Sequence, residues 1–193
     1  MDVVYRNPKQ YFIGGKARSG KSTVGTILKD TYEKKGKKTV ILSYSRYHKD
    51  YIKSFFGWDG SDETKPRELL QQLGTEIIRG KLNMPFFFVN RMTEDIKILS
   101  YFFDVIVVND VRFKIEIDMQ KELFNNLVSI KVVRDGFDNG LTEKQKQHSS
   151  EVDLDDYDKF DYCIYNDGTL ACLEQAVISI IEQEEKWYED DEQ

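Results

Sequence analysis

The chain has 193 residues, with 40% hydrophobic and 32% charged side chains and a formal net charge of −6. That length suits one α/β domain with an inserted lid, and the apolar share excludes a disordered chain. The acidic balance argues against a specific nucleic-acid binder, and runs such as "YFFDVIVV" are too short and too interrupted to cross a bilayer.

The opening "MDVVYRNPKQ" lacks a charged-then-apolar leader pattern, so a cytoplasmic location is expected. "QYFIGG" reads as a short strand at Tyr11–Ile13, and "KSTVGTILKDTYEKK" as a helix with Val24, Ile27 and Leu28 along one side. Between them, Gly15, four residues and Gly20-Lys21-Ser22 give the G-x-x-x-x-G-K-[ST] spacing. Such a loop turns its backbone N–H groups around a phosphate chain, and the helix behind it adds a positive N-terminal end. Residues Gly15, Lys16, Ala17, Arg18, Ser19, Gly20, Lys21, Ser22 and Thr23 are therefore candidates to bind nucleotide phosphates. Lys21 would reach the outer phosphates, and the Ser22 hydroxyl would hold Mg²⁺.

Further strands are expected at Thr39–Ser43, Val105–Asn109, Leu127–Val133 and Tyr162–Tyr165. Helical patterns cover Lys21–Lys35, Arg67–Arg79, Val89–Phe102, Ile115–Asn125 and a last segment after Thr169, a candidate cap. In "ELLQQLGTEIIRG" the α period puts Leu69, Leu70, Leu73, Ile77 and Ile78 on one face. Alternating β and α elements predict a three-layer α/β fold with a central, roughly five-stranded parallel sheet flanked by helices. Ligands of such sheets bind beyond the carboxyl ends of the strands. That rule gathers residues 14–23, "SYSRYHK", "NDVRF" and the loop starting "VVRDG".

"VIVVNDVRF" is an apolar strand ending in Asp110, where a carboxylate can hold Mg²⁺, usually through a water. Arg112 follows and would clamp a phosphate with two parallel hydrogen bonds. Arg67 and Arg79 lie twelve positions apart, roughly 18 Å along a straight α-helix, so they cannot hold the same phosphate. One would face an acceptor, while the other caps the helix or pairs at the surface. "KQKQHSSEVDLDDYDKFDY" carries Lys144, Lys146 and His148 before a run of acids; it reads as a mobile lid or a solvated loop. Asp153, Asp155, Asp156 and Asp158 do not make a calcium loop, because Tyr157 stands at the third ligand position and no glycine follows it. His148 with Glu151 fits a metal pair, a catalytic pair or a capping arrangement. The two cysteines, Cys163 and Cys172, fit no zinc or redox spacing and are expected as buried core thiols. The acidic tail from about residue 186 to 193 is expected to be frayed and solvated.

Together "GKARSGKST", "RELLQQLGTEIIR", "VVNDVRF", "HSSE" and "YNDGTL" resemble, in order, the phage-type deoxynucleoside monophosphate kinases, from about residue 10 to 181. The phosphate loop and the "HSSE" segment are also similar to those of animal-type phosphomevalonate kinases. The resemblance implies one P-loop kinase domain over residues 1–193, an acceptor-binding helical region near 45–100 and a lid near 135–160. It implies that residues 15–23 bind ATP phosphates and Mg²⁺, with Asn166, Gly168 and Thr169 under the adenine. Lys49, Arg67, Arg79 and Arg112 would bind the acceptor, and Lys21, Asp110, Arg112 and Arg134 would serve the transfer. Lys144, Lys146, His148, Ser150 and Glu151 would belong to the lid. The family commonly places arginines in the lid, but none follows Arg134 here, so Lys144 and Lys146 would take that role as point charges. The expected reaction moves the γ-phosphoryl group of ATP to a deoxynucleoside monophosphate. Phosphomevalonate or dephospho-coenzyme A as acceptor, an NTPase or switch without an acceptor, and a non-catalytic ATP-binding module are the alternatives. Homodimerisation is left open.

Overall fold

A computed structural model describes residues 3–138 and 140–191, apart from the side chains of residues 187–191. Five strands, β1 (Lys9–Gly14), β2 (Thr39–Leu42), β3 (Val105–Val111), β4 (Leu127–Val133) and β5 (Tyr162–Tyr165), form one sheet in the order β2-β3-β1-β4-β5. Every pairing is parallel. Parallel strands need covered crossovers, and the sheet accordingly carries an apolar core on each face. Alternation along β1 sends Tyr11 and Ile13 to one face and Phe12 to the other.

On the first face, α1 (Lys21–Lys34) and α8 (Leu170–Asp191) bury Val24, Leu28, Leu173, Val177 and Ile181 against the sheet. On the second, α4 (Phe87–Leu99) and α5 (Lys114–Leu123) contribute Phe88, Met92, Ile96 and Ile117. Leu154 and Tyr157 join this second core from the segment after α6 (Glu143–Lys146) and α7 (Ser149–Val152). No helix among the described residues is long and apolar enough to cross a membrane. The expected acidic tail lies, from Trp187 onward, outside the described side chains.

Three local departures from the sequence expectations bear on the site. The stretch "SRYHKDYIKSFF", for which the apolar periodicity gave no helix although the family resemblance implied a helical region near 45–100, is helix α2 (Ser45–Phe56). The expected single α-helix from Arg67 is α3 (Arg67–Gln71) running directly into a π-helical segment (Gln72–Lys81). Its wider turn changes the buried face. Leu70, Gly74 and Ile78 are buried at a spacing of four, while Ile77 is 37% exposed. Cys163 and Cys172, expected in the core, are both exposed. Cys163 sits on edge strand β5, and Cys172 lies in the first turn of α8, where Thr169 caps the helix by accepting the Cys172 N–H at 3.3 Å.

Candidate active site

The loop between β1 and α1 is shaped by its glycines. Gly15 has φ +141°, and a Cβ there would sit 2.3 Å from the Val132 carbonyl oxygen. Because that neighbour is backbone, Gly15→Ala should destabilise the protein by on the order of 3 kcal/mol, lowering Tm by roughly 6–12 °C. A thermal melt checks this. At Gly20 the close neighbour is Asn166 Nδ2, which donates to the Ser19 carbonyl at 2.8 Å and ties the β5–α8 loop to the phosphate loop.

Lys21 opens α1 and is buried. Its Nζ donates to the carbonyls of Gly15 (2.8 Å) and Lys16 (2.6 Å). Burial first, and then the Arg112 guanidinium, push its pKa down to about 7, against the pull of Glu151 and Asp110. Ser22 and Thr23 are exposed at the start of the same helix. Arg112 crosses to the loop, donating to the Gly15 carbonyl at 3.1 Å and pairing with Glu151 at 2.8 Å. The second Glu151 oxygen accepts the Ala17 N–H at 2.8 Å. Glu151 thus bridges the phosphate loop and Arg112.

Asp110 owes its aim to an irregularity in β3. Phe12 pairs with Val108 but Gly14 with Val111, so one extra residue sits in β3 beside the loop. The Asp110 carboxylate accepts from Ser43 Oγ (2.5 Å), Tyr44 N (2.7 Å) and Ser45 N (3.0 Å) at the start of α2. Burial alone would raise its pKa, yet these donors outweigh burial and hold it below the usual carboxylate range. An ionised Asp110 therefore caps α2 from another element and carries His48 and Lys49 to the cavity wall.

That cavity, about 860 Å³, runs from the loop to the wall made by α2, α3 and the π segment. It brings together Lys21, Ser22, Thr23, Lys49, Arg67, Arg79, Asp110, Arg112, Arg134, His148, Ser150, Glu151 and Asn166. Its lining holds eight Lys and Arg side chains against four carboxylates, although the whole chain is acidic. Arg67 is exposed there, whereas Arg79 is locked. Arg79 donates to the Gly74 carbonyl (3.2 Å) and Glu116 (3.1 Å), and it lies over Phe88 (4.6 Å) and Phe113 (4.1 Å). A smaller cavity of about 310 Å³ adjoins the larger one at the loop, lined by Lys16, Ser19, Arg134 and Phe137 among others. Arg134 stacks over Phe137 at 3.9 Å.

Four of the sequence candidates stand outside both cavities: Lys144, Lys146, Gly168 and Thr169. Lys146 pairs with Glu143 within its own turn. His148 Nδ1 accepts the Ser150 N–H at 3.2 Å, so of its three readings the structure has the capping arrangement. The acids after it are spent on the body of the protein. Asp155 pairs with Lys16, Asp156 with Lys114, and Asp153 accepts the Lys114 N–H.

Sequence reasoning missed Glu116 and His48, and it missed that Glu151 touches the phosphate loop. Glu116, in the first turn of α5, is buried, and burial pushes its pKa up to about 7 despite Arg79 and the Arg112 N–H. His48 is pushed down to about 4, mainly by burial, and is neutral at pH 7. A glutamate at the third position of a helix is a capping signal, which was the one trace of Glu116 in the sequence. His48 had none.

The family model described as deoxynucleotide monophosphate kinase matches residues 34–177. That match starts beyond the phosphate loop, so it does not rest on the motif shared by many nucleotide-binding proteins. A protein of Acanthamoeba polyphaga mimivirus named "Putative deoxynucleotide monophosphate kinase" is 31% identical over 127 residues, covering 61% of this chain and 61% of that protein. The chain thus matches less than two thirds of that relative's length. Among solved structures, a sugar kinase from Janibacter sp. HTCC2649 aligns with 11% identity over 91% of this chain and 95% of its own, at a TM-score of 0.57. The Mycobacterium tuberculosis APS kinase in complex with AMPPNP and APS aligns with 13% identity over 91% and 98%, at 0.51. Such low identities speak for the fold alone, a three-layer P-loop kinase fold. With its family match covering well over half of its length, the chain belongs to the deoxynucleotide monophosphate kinase family.

Proposed function

We propose that the protein transfers the γ-phosphoryl group of ATP to the phosphate of a deoxynucleoside monophosphate, giving the diphosphate and ADP. The observation that carries this reading is the continuous cation-rich cavity, which starts at the phosphate loop and ends on a wall of Lys49, Lys65, Arg67 and Arg79. An NTPase needs no such second wall. Family membership and the AMPPNP in a kinase of the same fold support ATP as donor.

In this reading the loop and the N-terminus of α1 bind the ATP phosphates. Lys21 leaves the Gly15 and Lys16 carbonyls for the outer phosphates. The exposed Ser22 hydroxyl would hold Mg²⁺ and Asp110, which is ionised and keeps free lone pairs, would hold it through a water. Bound there, the ion would supply charge neutralisation for the transferred group. Lys49 and Arg67 bind the acceptor phosphate, and Arg112 stands between the two sites. The acceptor oxygen is already anionic, so no general base is required; it bonds to the γ-phosphorus as the bond to the β-phosphate oxygen breaks. Residues 45–100 form the acceptor wall, and closure of the lid over the cavity excludes water, whose attack is the competing reaction.

Lys21 supplies a signature of nucleotide binding. At pH 8 its amine is mostly neutral in the ligand-free protein, and phosphates will raise its pKa. ATP binding should therefore take up close to one proton at pH 8 and far less at pH 6, where the amine is already charged. Calorimetry in buffers of different ionisation heat reads this directly, and binding heats independent of buffer at pH 8 would contradict it.

The reading itself is tested by ADP formation across deoxynucleoside and nucleoside monophosphates, with phosphomevalonate and dephospho-coenzyme A in the same panel. Turnover that depends on one or a few deoxynucleotides is the expected result. Preference for an acceptor without a base, or ADP formation indifferent to acceptor, would replace it.

A further inference from the structure

Glu116 is more deeply buried than the start of a helix requires. A capping glutamate needs only the N–H of its own helix start, and it makes that bond as well from a solvated surface. Here the side chain is 1% exposed, and burial costs enough to push the carboxyl up to about 7. One oxygen accepts the main-chain N–H groups of Arg112 (2.8 Å) and Phe113 (3.2 Å), while the other accepts Arg79 Nη2 (3.1 Å). The Arg112 main chain is thus anchored by Glu116, while its guanidinium reaches the phosphate loop at the Gly15 carbonyl. Arg79 is anchored by the same carboxylate, and its remaining contacts are the Gly74 carbonyl and the Phe88 and Phe113 rings. The charged and titratable groups facing Glu116 are Arg79 from the π segment, Asp110 from β3 and Tyr44, whose hydroxyl donates to the Glu116 carbonyl at 3.2 Å.

We propose that Glu116 is a positioning residue for phosphoryl transfer: its carboxylate ties the acceptor wall, through Arg79, to the donor side, through the Arg112 main chain. The inference rests on the kinase reading above. In-line transfer depends on the spacing of the two phosphates, and a misplacement of about 1 Å from the reactive geometry can cost on the order of 10²-fold in rate. A carboxylate shared by both walls fixes that spacing before either substrate arrives. Glu116 does not touch the reacting atoms.

The experiment compares the parent with Glu116→Gln, varying acceptor and ATP separately and measuring AMPPNP affinity by calorimetry. The amide cannot accept from both sides, because its NH₂ group meets either Arg79 or the two backbone N–H groups. The expected result is a kcat lowered by about 10- to 100-fold and a raised acceptor KM, with AMPPNP affinity changed less than about twofold. Glu116→Asp keeps the charge but shortens the reach, so it should fold and bind AMPPNP as the parent does yet keep the raised acceptor KM. It also serves if Glu116→Gln does not fold. A variant that folds with kcat and acceptor KM within about twofold of the parent overturns the inference alone. Parent protein that transfers no phosphoryl group to any acceptor overturns the kinase reading and this inference with it.

Discussion

Lys21→Ala is expected to cut acceptor-dependent ADP formation by at least about 10²–10³-fold, the loss seen when one preorganised donor to developing charge is removed. The loop would keep its backbone donors, but no other described amine reaches the Gly15 and Lys16 carbonyls that Lys21 now holds. The fold should survive. The Lys21 pKa is depressed by burial, so the buried amine costs stability at all pH values below its unfolded value, and the cost is complete once pH falls below about 7. Alanine removes that cost and takes one donor from each of two carbonyls, Gly15 keeping the Arg112 guanidinium and Lys16 the Ser19 N–H, so at neutral pH Tm should stay near that of the parent. As pH falls from 10 to 7 the variant should gain on the parent. Near-full activity in a folded Lys21→Ala protein would sink the assignment of the loop.

Asp110→Ala has the largest expected effect on stability among the site residues. It strands the N–H groups of Tyr44 and Ser45 at the start of α2 and leaves Ser43 Oγ only the Ser45 hydroxyl, at 2.8 Å. Each buried donor left unpaired costs about 1–3 kcal/mol, so about 2–6 kcal/mol is expected for the two N–H groups, or roughly 4–24 °C in Tm. The Asp110 pKa is depressed in the fold, so its contribution is present above the unfolded carboxylate value and is lost as pH falls through the folded one. Melts of parent and variant should therefore converge under acid conditions, below the ordinary aspartate range, and stay apart at neutral pH. Because α2 carries Lys49 and His48, the acceptor KM should rise with the loss of stability. A variant with unchanged Tm would mean that Asp110 does not hold α2.

The sheet was legible because a buried parallel strand announces itself by a run of β-branched residues. Leu127–Val133 and Tyr162–Tyr165 have the expected bounds, and β3 extends two residues beyond its expected end, through Asp110 to Val111. The β1–α1 loop and "DVRF" could be singled out because their residues stand close together in sequence, and both line the same cavity. What escaped is tertiary. Helix α2 has no local cap, since its cap is a carboxylate 66 residues downstream of Tyr44. The π segment keeps a nearly helical pattern, because burial of Leu70, Gly74 and Ile78 at a spacing of four fits an α-helix as well, and the wider turn shows in main-chain bonds such as Leu82 N–H to the Ile77 carbonyl at 2.8 Å. The two cysteines look apolar in sequence, but one lies on an edge strand and the other on the open first turn of α8. Glu116 and Arg79 are 37 positions apart, and neither signals the other.

The central claim is that the phosphoryl group goes to a second phosphate and not to water. The most direct measurement follows γ-³²P-labelled ATP with Mg²⁺ and a deoxynucleoside monophosphate, separating labelled diphosphate from labelled inorganic phosphate. Label is expected in the β-position of the new diphosphate with acceptor, none without it, and loss of the labelled diphosphate in Lys21→Ala. Label appearing as inorganic phosphate at the same rate with or without acceptor would contradict it.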